Sequence, residues 1–173
     1  MSPAAVPLLS IPVGVVVERR KAASQWTDFI WRAVGVLPGE PDMEAWTVLR
    51  EQDDVTLFYV GSALVDLYRS ETERYRENLA SGTPSIWVVM SPSEGAWPYA
   101  VTAATADAAE GESFTEAATN LVEPVPMPEI IRDAIDRFIA GHHVEREEFF
   151  KRRRGRADPE ALARRLQKGR TNE

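Results

Sequence analysis

Few residues in this chain have types and spacing that could do chemistry. The two histidines, His142 and His143, are adjacent. Helical neighbours point about 100° apart, so the pair does not face one metal as an i, i+4 pair would. With Glu145, Glu147 and Glu148 close by, a weak metal site is conceivable. The plainer reading is a helix C-terminus, where imidazole meets the dipole favourably. Carboxylates are plentiful, and Asp66, Glu71 and Glu73 lie near one predicted strand end. Acid–base work needs two carboxylates in a shared cleft with divergent pKa values, and solvated faces account for these three better. Neither a G-x-S-x-G elbow nor an S-x-x-K motif occurs. Gly35 and Gly39 lack the following helix and lysine of a phosphate loop. With no cysteine, thiolate metal sites, disulfides and thiol nucleophiles are excluded together. No catalytic residue, cofactor-binding residue or metal ligand is therefore assigned, and no cofactor is expected.

What remains is chemistry of binding. Five tryptophans, Trp26, Trp31, Trp46, Trp87 and Trp97, are many for 173 residues. Three fall in predicted strands, whereas Trp26 and Trp97 fall in predicted loops, where an exposed indole anchors a protein interface. Phe149, Phe150, Lys151, Arg152, Arg153 and Arg154 join two aromatics to a basic run, the combination that stacks on bases or docks on an acidic protein. These eight residues are the candidate partner-binding set.

Charge is unevenly spread. Residues 1–150 hold 11 Lys+Arg against 24 Asp+Glu, a balance of −13, and residues 151–173 hold 9 against 3, a balance of +6. An acidic body repels nucleic acid, so such contact would have to use the tail. The plainest reading of the tail is a solvated, charged end.

The elements that must position these residues follow from periodicity. Ile11, Val13, Val15 and Val17 alternate as in a strand. Further strands are predicted at Phe29–Leu37, Trp46–Arg50, Val55–Val60, Leu64–Arg69, Ile86–Met90 and Tyr99–Ala103, with a hairpin turn at Gly61-Ser62. Ser70 and Glu73 have capping-box spacing for a short helix carrying Tyr75 and Leu79 and ending before Gly82 and Pro84. Residues 104–120 read as one or two marginal helical turns. Glu123 to Pro128 must be extended, because alternating prolines exclude the helical region. Ile131, Ala134, Ile135, Phe138 and Ile139 trace a helix that Pro128 opens and Gly141 stops. Asp158-Pro159, Leu162 and Leu166 outline a short helix in the tail.

That order predicts an α+β fold of six or seven mainly antiparallel strands, a sheet or partly closed barrel, with a short inserted helix, a late packed helix and a basic C-terminal tail. The domain is expected over residues 11–150, with 151–173 as a tail that is disordered or ordered by a partner. The apolar start, Met1 to Val17, has no positive leading segment and is broken by Pro3, Pro7 and Pro12. It reads as a loose terminus entering a strand. No stretch approaches the roughly 18 apolar residues of a membrane helix. A soluble, cytoplasmic protein is expected.

Several phrases together resemble an uncharacterised bacterial family, a domain of unknown function whose genes often lie near those for formate dehydrogenase. They are Val13 to Arg20, Trp31-Arg32 through Gly39, Trp46 to Arg50, Glu71-Thr72-Glu73 through Leu79, Glu123 to Pro128 and His142-His143-Val144, spanning residues 11–154. Members are sometimes labelled molybdopterin-guanine dinucleotide biosynthesis proteins, although this chain lacks the Gly-rich loop of that nucleotidyltransferase. The resemblance implies a non-catalytic accessory protein that binds a formate dehydrogenase subunit or a neighbouring gene product during enzyme assembly or molybdenum-cofactor maturation. The alternatives are a small-ligand carrier or enzyme of that pathway, with Arg19, Arg32 and Arg69 around a pocket, and nucleic-acid binding through the tail.

Overall fold

The computed structural model describes residues 5–155 and, within the last helix, side chains as far as His142. Three long strands set the frame. β1 (Leu9–Lys21) pairs antiparallel with β2 (Phe29–Pro38) on one edge and with β4 (Val55–Leu67) on the other. β3 (Thr47–Gln52) folds back on the first half of β4 through Asp53-Asp54. Asp53 takes φ 54° there, a left-handed turn position that aspartate tolerates well. The second half of β4 meets β6 (Tyr99–Thr105) in parallel at Val65 and Ala104. β5 (Ser85–Pro92) then pairs antiparallel with both β6 and β7 (Leu121–Pro126).

The result is a seven-stranded mixed sheet, order β2-β1-β4-β6-β5-β7 with β3 beside β4, curled into a nearly closed barrel. Three helices accompany it: α1 (Thr72–Ala80), α2 (Ala108–Ser113) and α3 (Glu129–Gly155). The predicted α+β fold is thus observed. None of the described helices is long and apolar enough to cross a membrane.

Alternation builds the core. Val13, Val15 and Val17 of β1, Val65 and Leu67 of β4, and Ile86, Val88 and Met90 of β5 are fully enclosed, each worth roughly 1.5–3 kcal/mol in water exclusion. The stripe Ile131, Ile135, Phe138 and Ile139 closes one side of this core. Tyr75 of α1 meets Phe138 edge-on at 6.2 Å, which fixes α1 against α3.

Three local expectations are corrected. Gly61-Ser62 is not a hairpin: β4 runs through Gly61 at φ 125°, and the β1–β4 register shifts between Gly14 and Val16. Glycine here provides a bulge that bends the strand, because β1 offers a partner along both halves of β4. The Ser70–Glu73 capping box does not form. A 3-10 turn over Arg69–Glu71 leads into α1, and the Thr72 hydroxyl bonds the Arg69 carbonyl instead. Finally, α3 does not stop at Gly141 but continues to Gly155. An internal glycine costs about 1 kcal/mol, and no proline follows before Pro159 to end the helix. The Pro128 carbonyl accepts the Ile131 and Arg132 amides at the start of α3. The tail helix predicted around Asp158, Leu162 and Leu166 lies outside the described residues.

Candidate functional site

Beyond Val17 the inward face of β1 changes character. Arg19 lies opposite Trp31 of β2 and Thr56 of β4, continuing the side that Val17 and Ala33 begin. Two residues along β4, Phe58 shares that face, with Val48 of β3 opposite it. The guanidinium of Arg19 sits 4.5 Å from the Phe29 ring centroid, 5.1 Å from Phe58 and 5.8 Å from Trp31. Each such contact is worth about 0.5–1 kcal/mol where water reaches it.

Trp46 and Trp97 extend the cluster. Their rings stack 4.6 Å apart with 9° between planes, and both touch Phe58, at 5.6 and 5.2 Å. Trp46 also stands edge-on to Trp31 at 5.7 Å. Its backbone adopts φ 71°, an outlier for a bulky residue that costs of order 1–3 kcal/mol. The Trp46 amide donates to the Tyr59 carbonyl, and the ring contacts hold the rest. Strain of this kind concentrates at binding and catalytic sites.

The rim is apolar and open. Phe29 and Val48, on the Arg19 face, are exposed, and Trp26 is 92% exposed in the loop that the Ala22–Asp28 backbone bond closes. The Arg19 side chain makes no hydrogen bond or ion pair among the described residues. Its neighbours do: Arg20 pairs with Glu18 at 3.3 Å and Arg32 with Glu123 at 3.7 Å. Burial raises the Glu123 pKa, the charge and hydrogen bond of Arg32 pull it down, and Glu18 pushes it up. Chemically the arrangement offers stacking, apolar contact and one unpaired cation. It presents neither a nucleophile nor a proton-transfer pair.

A second polar group joins α1 to α2. Asp107 caps α2 by accepting the Ala109 and Glu110 amides, and its carboxylate pairs with Arg74 at 3.3 Å. Arg74 also reaches Glu71 at 3.3 Å. Buried Asn78 donates to the Ser85 and Ala106 carbonyls and accepts the Ser85 amide. Burial raises the Glu110 pKa; the Thr105 hydroxyl lowers it, and Asp107, Asp66 and Glu71 raise it further. A cleft of about 710 Å³ beside these groups is lined by Arg74, Asn78, Trp87, Asp107 and Glu112 among others. Its buried polar atoms are committed to caps and strand ends, so we read it as structural.

Of the predicted residues, Trp26 is exposed in its loop, as an anchor would need to be. Trp97 is only partly exposed: it stacks on Trp46, itself partly buried, within the cluster. Phe149, Phe150, Lys151, Arg152, Arg153 and Arg154 lie on the helical backbone of α3, but their side chains are outside the described residues. The C-terminal helix position assigned to His142 is corrected by the continuation of α3. His142 packs on Phe138 at 4.4 Å, and its buried Nδ1 has no hydrogen-bond partner among the described residues. No group of three His, Cys, Asp or Glu suited to a metal occurs among the described residues. Asp66 accepts from Ser10 at 2.6 Å and Glu71 pairs with Arg74, while the charges of both reach Glu110. Sequence reasoning missed Phe29 and Phe58 and placed Arg19 only loosely. The alternation of Phe29 with Trp31, and of Arg19 with Val17, was the available signal.

The family model described as "Protein of unknown function (DUF3305)" matches residues 12–154. The chain belongs to this family. The DUF3305 match takes in the aromatic cluster, all three helices and the segment Phe149 to Arg154. No curated protein and no solved structure matches the chain.

Proposed function

We propose that this DUF3305 member is a non-catalytic accessory protein that docks on a partner protein through the open aromatic end of its barrel. The observation that carries the reading is Trp26, 92% exposed in the β1–β2 loop, three residues before the exposed Phe29 whose ring covers Arg19. Monomeric surfaces rarely leave large apolar groups gathered in this way, and indoles are preferred interface anchors. The resemblance noted above supplies the finer proposal, a formate dehydrogenase subunit or cofactor-insertion factor as partner. Binding would serve enzyme assembly or molybdenum-cofactor maturation.

The test is affinity capture of the tagged full chain from formate-grown host cells, compared with a Trp26→Ala, Phe29→Ala variant. We expect the wild type to recover such a subunit or factor and the variant to lose at least about tenfold of it, as hot-spot removal does. Equal recovery by both would move the interface elsewhere. Recovery of neither class by the wild type would overturn the formate dehydrogenase assignment.

A further inference from the structure

The Arg19 guanidinium is the one feature of the mouth that apolar docking leaves unexplained. Aromatic faces hold it in place, at 4.5 Å from Phe29 and 5.1 Å from Phe58. Stacking occupies the face of the guanidinium plane and leaves its N–H edge available. Among the described residues nothing accepts from that edge, although the chain carries more acidic than basic groups and pairs both Arg20 and Arg32 nearby. A cation fixed in place without its counter-charge is a receptor for an anion.

We propose, building on the docking reading above, that Arg19 receives the carboxylate of an Asp or Glu side chain set among apolar residues in the docking segment of the partner. Bidentate contact with a planar guanidinium suits a carboxylate. The surroundings select its flanks: exposed Phe29 of β2 and exposed Val48 of β3 offer apolar contact on either side of it. A polyanion is disfavoured, because residues 1–150 carry a net −13. The segment recognised is therefore acidic at one position and apolar around it. The left-handed Trp46 backbone, φ 71°, keeps the ring that backs Trp31 and Phe58 and so keeps the receptor shaped before binding.

The probe is a random peptide library displayed on phage and selected on the full-length protein, with binding of the selected peptides followed by tryptophan fluorescence. We expect the enriched peptides to share an Asp or Glu between apolar residues. Changing that acid to its amide should weaken binding about tenfold or more, the usual worth of a charged hydrogen bond. Arg19→Gln should lose this discrimination, and Arg19→Lys should retain part of it. If the acid and amide peptides bind wild type equally, the carboxylate receptor is overturned. In that event, loss of binding in Trp26→Ala, Phe29→Ala would leave the docking reading standing, and unchanged binding there would remove both. Tight oligonucleotide binding that Arg19→Gln abolishes would also overturn the proposal, in favour of phosphate. Should Arg19→Gln fail to fold, the acid-to-amide comparison on wild type decides alone.

Discussion

Tyr75 shows how one buried side chain sets a pH limit. Its ring is 1% exposed, and its hydroxyl oxygen accepts the Tyr68 amide at 3.0 Å. Burial pushes its pKa up from 10.0 to about 12; the Tyr68 amide lowers it, and Asp107, Glu110 and Glu71 raise it. The neutral phenol is thus preferred in the folded state. Its contribution is whole below pH 10, the unfolded value, and drains away as pH rises through the folded one. We expect the urea midpoint of the wild type to fall between pH 10 and 12 and that fall to flatten in Tyr75→Phe. At neutral pH the same variant should cost about 1–3 kcal/mol, because the Tyr68 amide loses its acceptor. Glu110 follows the same sign with the opposite consequence at pH 7. Its raised pKa means that the charged carboxylate is disfavoured on folding. Glu110→Gln should therefore raise the melting temperature at pH 7, and the gain should shrink as acid protonates the wild-type group. A melting temperature unchanged at pH 7 would contradict this. Neither role was legible in the sequence, since both arise from groups that α1, α2 and the end of β6 bring together. Arg19 was half legible: parity with Val17 places it on the inner face, but only the fold of β2 and β4 around it supplies the rings.

At the scale of elements, α2 is held to the sheet by the absence of a side chain. A Cβ on Gly111 would lie 2.6 Å from the Cβ and Cγ of Trp87, so the helix rests directly on the indole of β5. Gly111→Ala should be destabilising by about 1–3 kcal/mol, the usual cost of overpacking, despite the better helix propensity of alanine. Gly141→Ala, with nothing within 4 Å of its Cβ, should instead stabilise α3 by up to about 1 kcal/mol. Chemical denaturation of the two variants checks the contrast, and equal effects would refute the packing argument. The strands were readable because valine alternation and proline exclusion act locally. Gly61 was misread because a glycine after a strand run marks a turn or a bulge alike, and only the partner strand decides between them. Gly141 was misread as a stop for a related reason: a glycine limits a helix only when the following chain has somewhere else to go. The order of strands was not readable either, because β6 returns beside β4 across the intervening α1 and β5, and nothing local in the sequence selects that partner.

For the whole molecule the open question of closure is answered by the seam between β2 and β7. These end strands lie side by side, yet no hydrogen-bonded ladder joins them among the described residues. The link described across the gap is Arg32 with Glu123, 3.7 Å apart and half exposed on the arginine side. An exposed pair of this kind contributes about 0–1 kcal/mol, far less than a ladder of backbone bonds would. No sequence pattern distinguishes a closed barrel from one that stops a strand pairing short, since the inward alternation is the same in both. The seam should therefore be where the barrel opens first. We expect the amides of β2 that point away from β1 to exchange with deuterium at least about 100-fold faster than those of β1, which is laddered on both edges. Arg32→Ala should change that ratio little. Opening at the seam would also loosen Phe29 and Trp31, which β2 contributes to the Arg19 cluster, so a docked partner should slow exchange along β2 more than along β5. Amide exchange resolved by NMR tests both statements. If the outward β2 amides are as protected as those of β1, the barrel is hydrogen-bonded shut, and a docked partner finds its site already rigid.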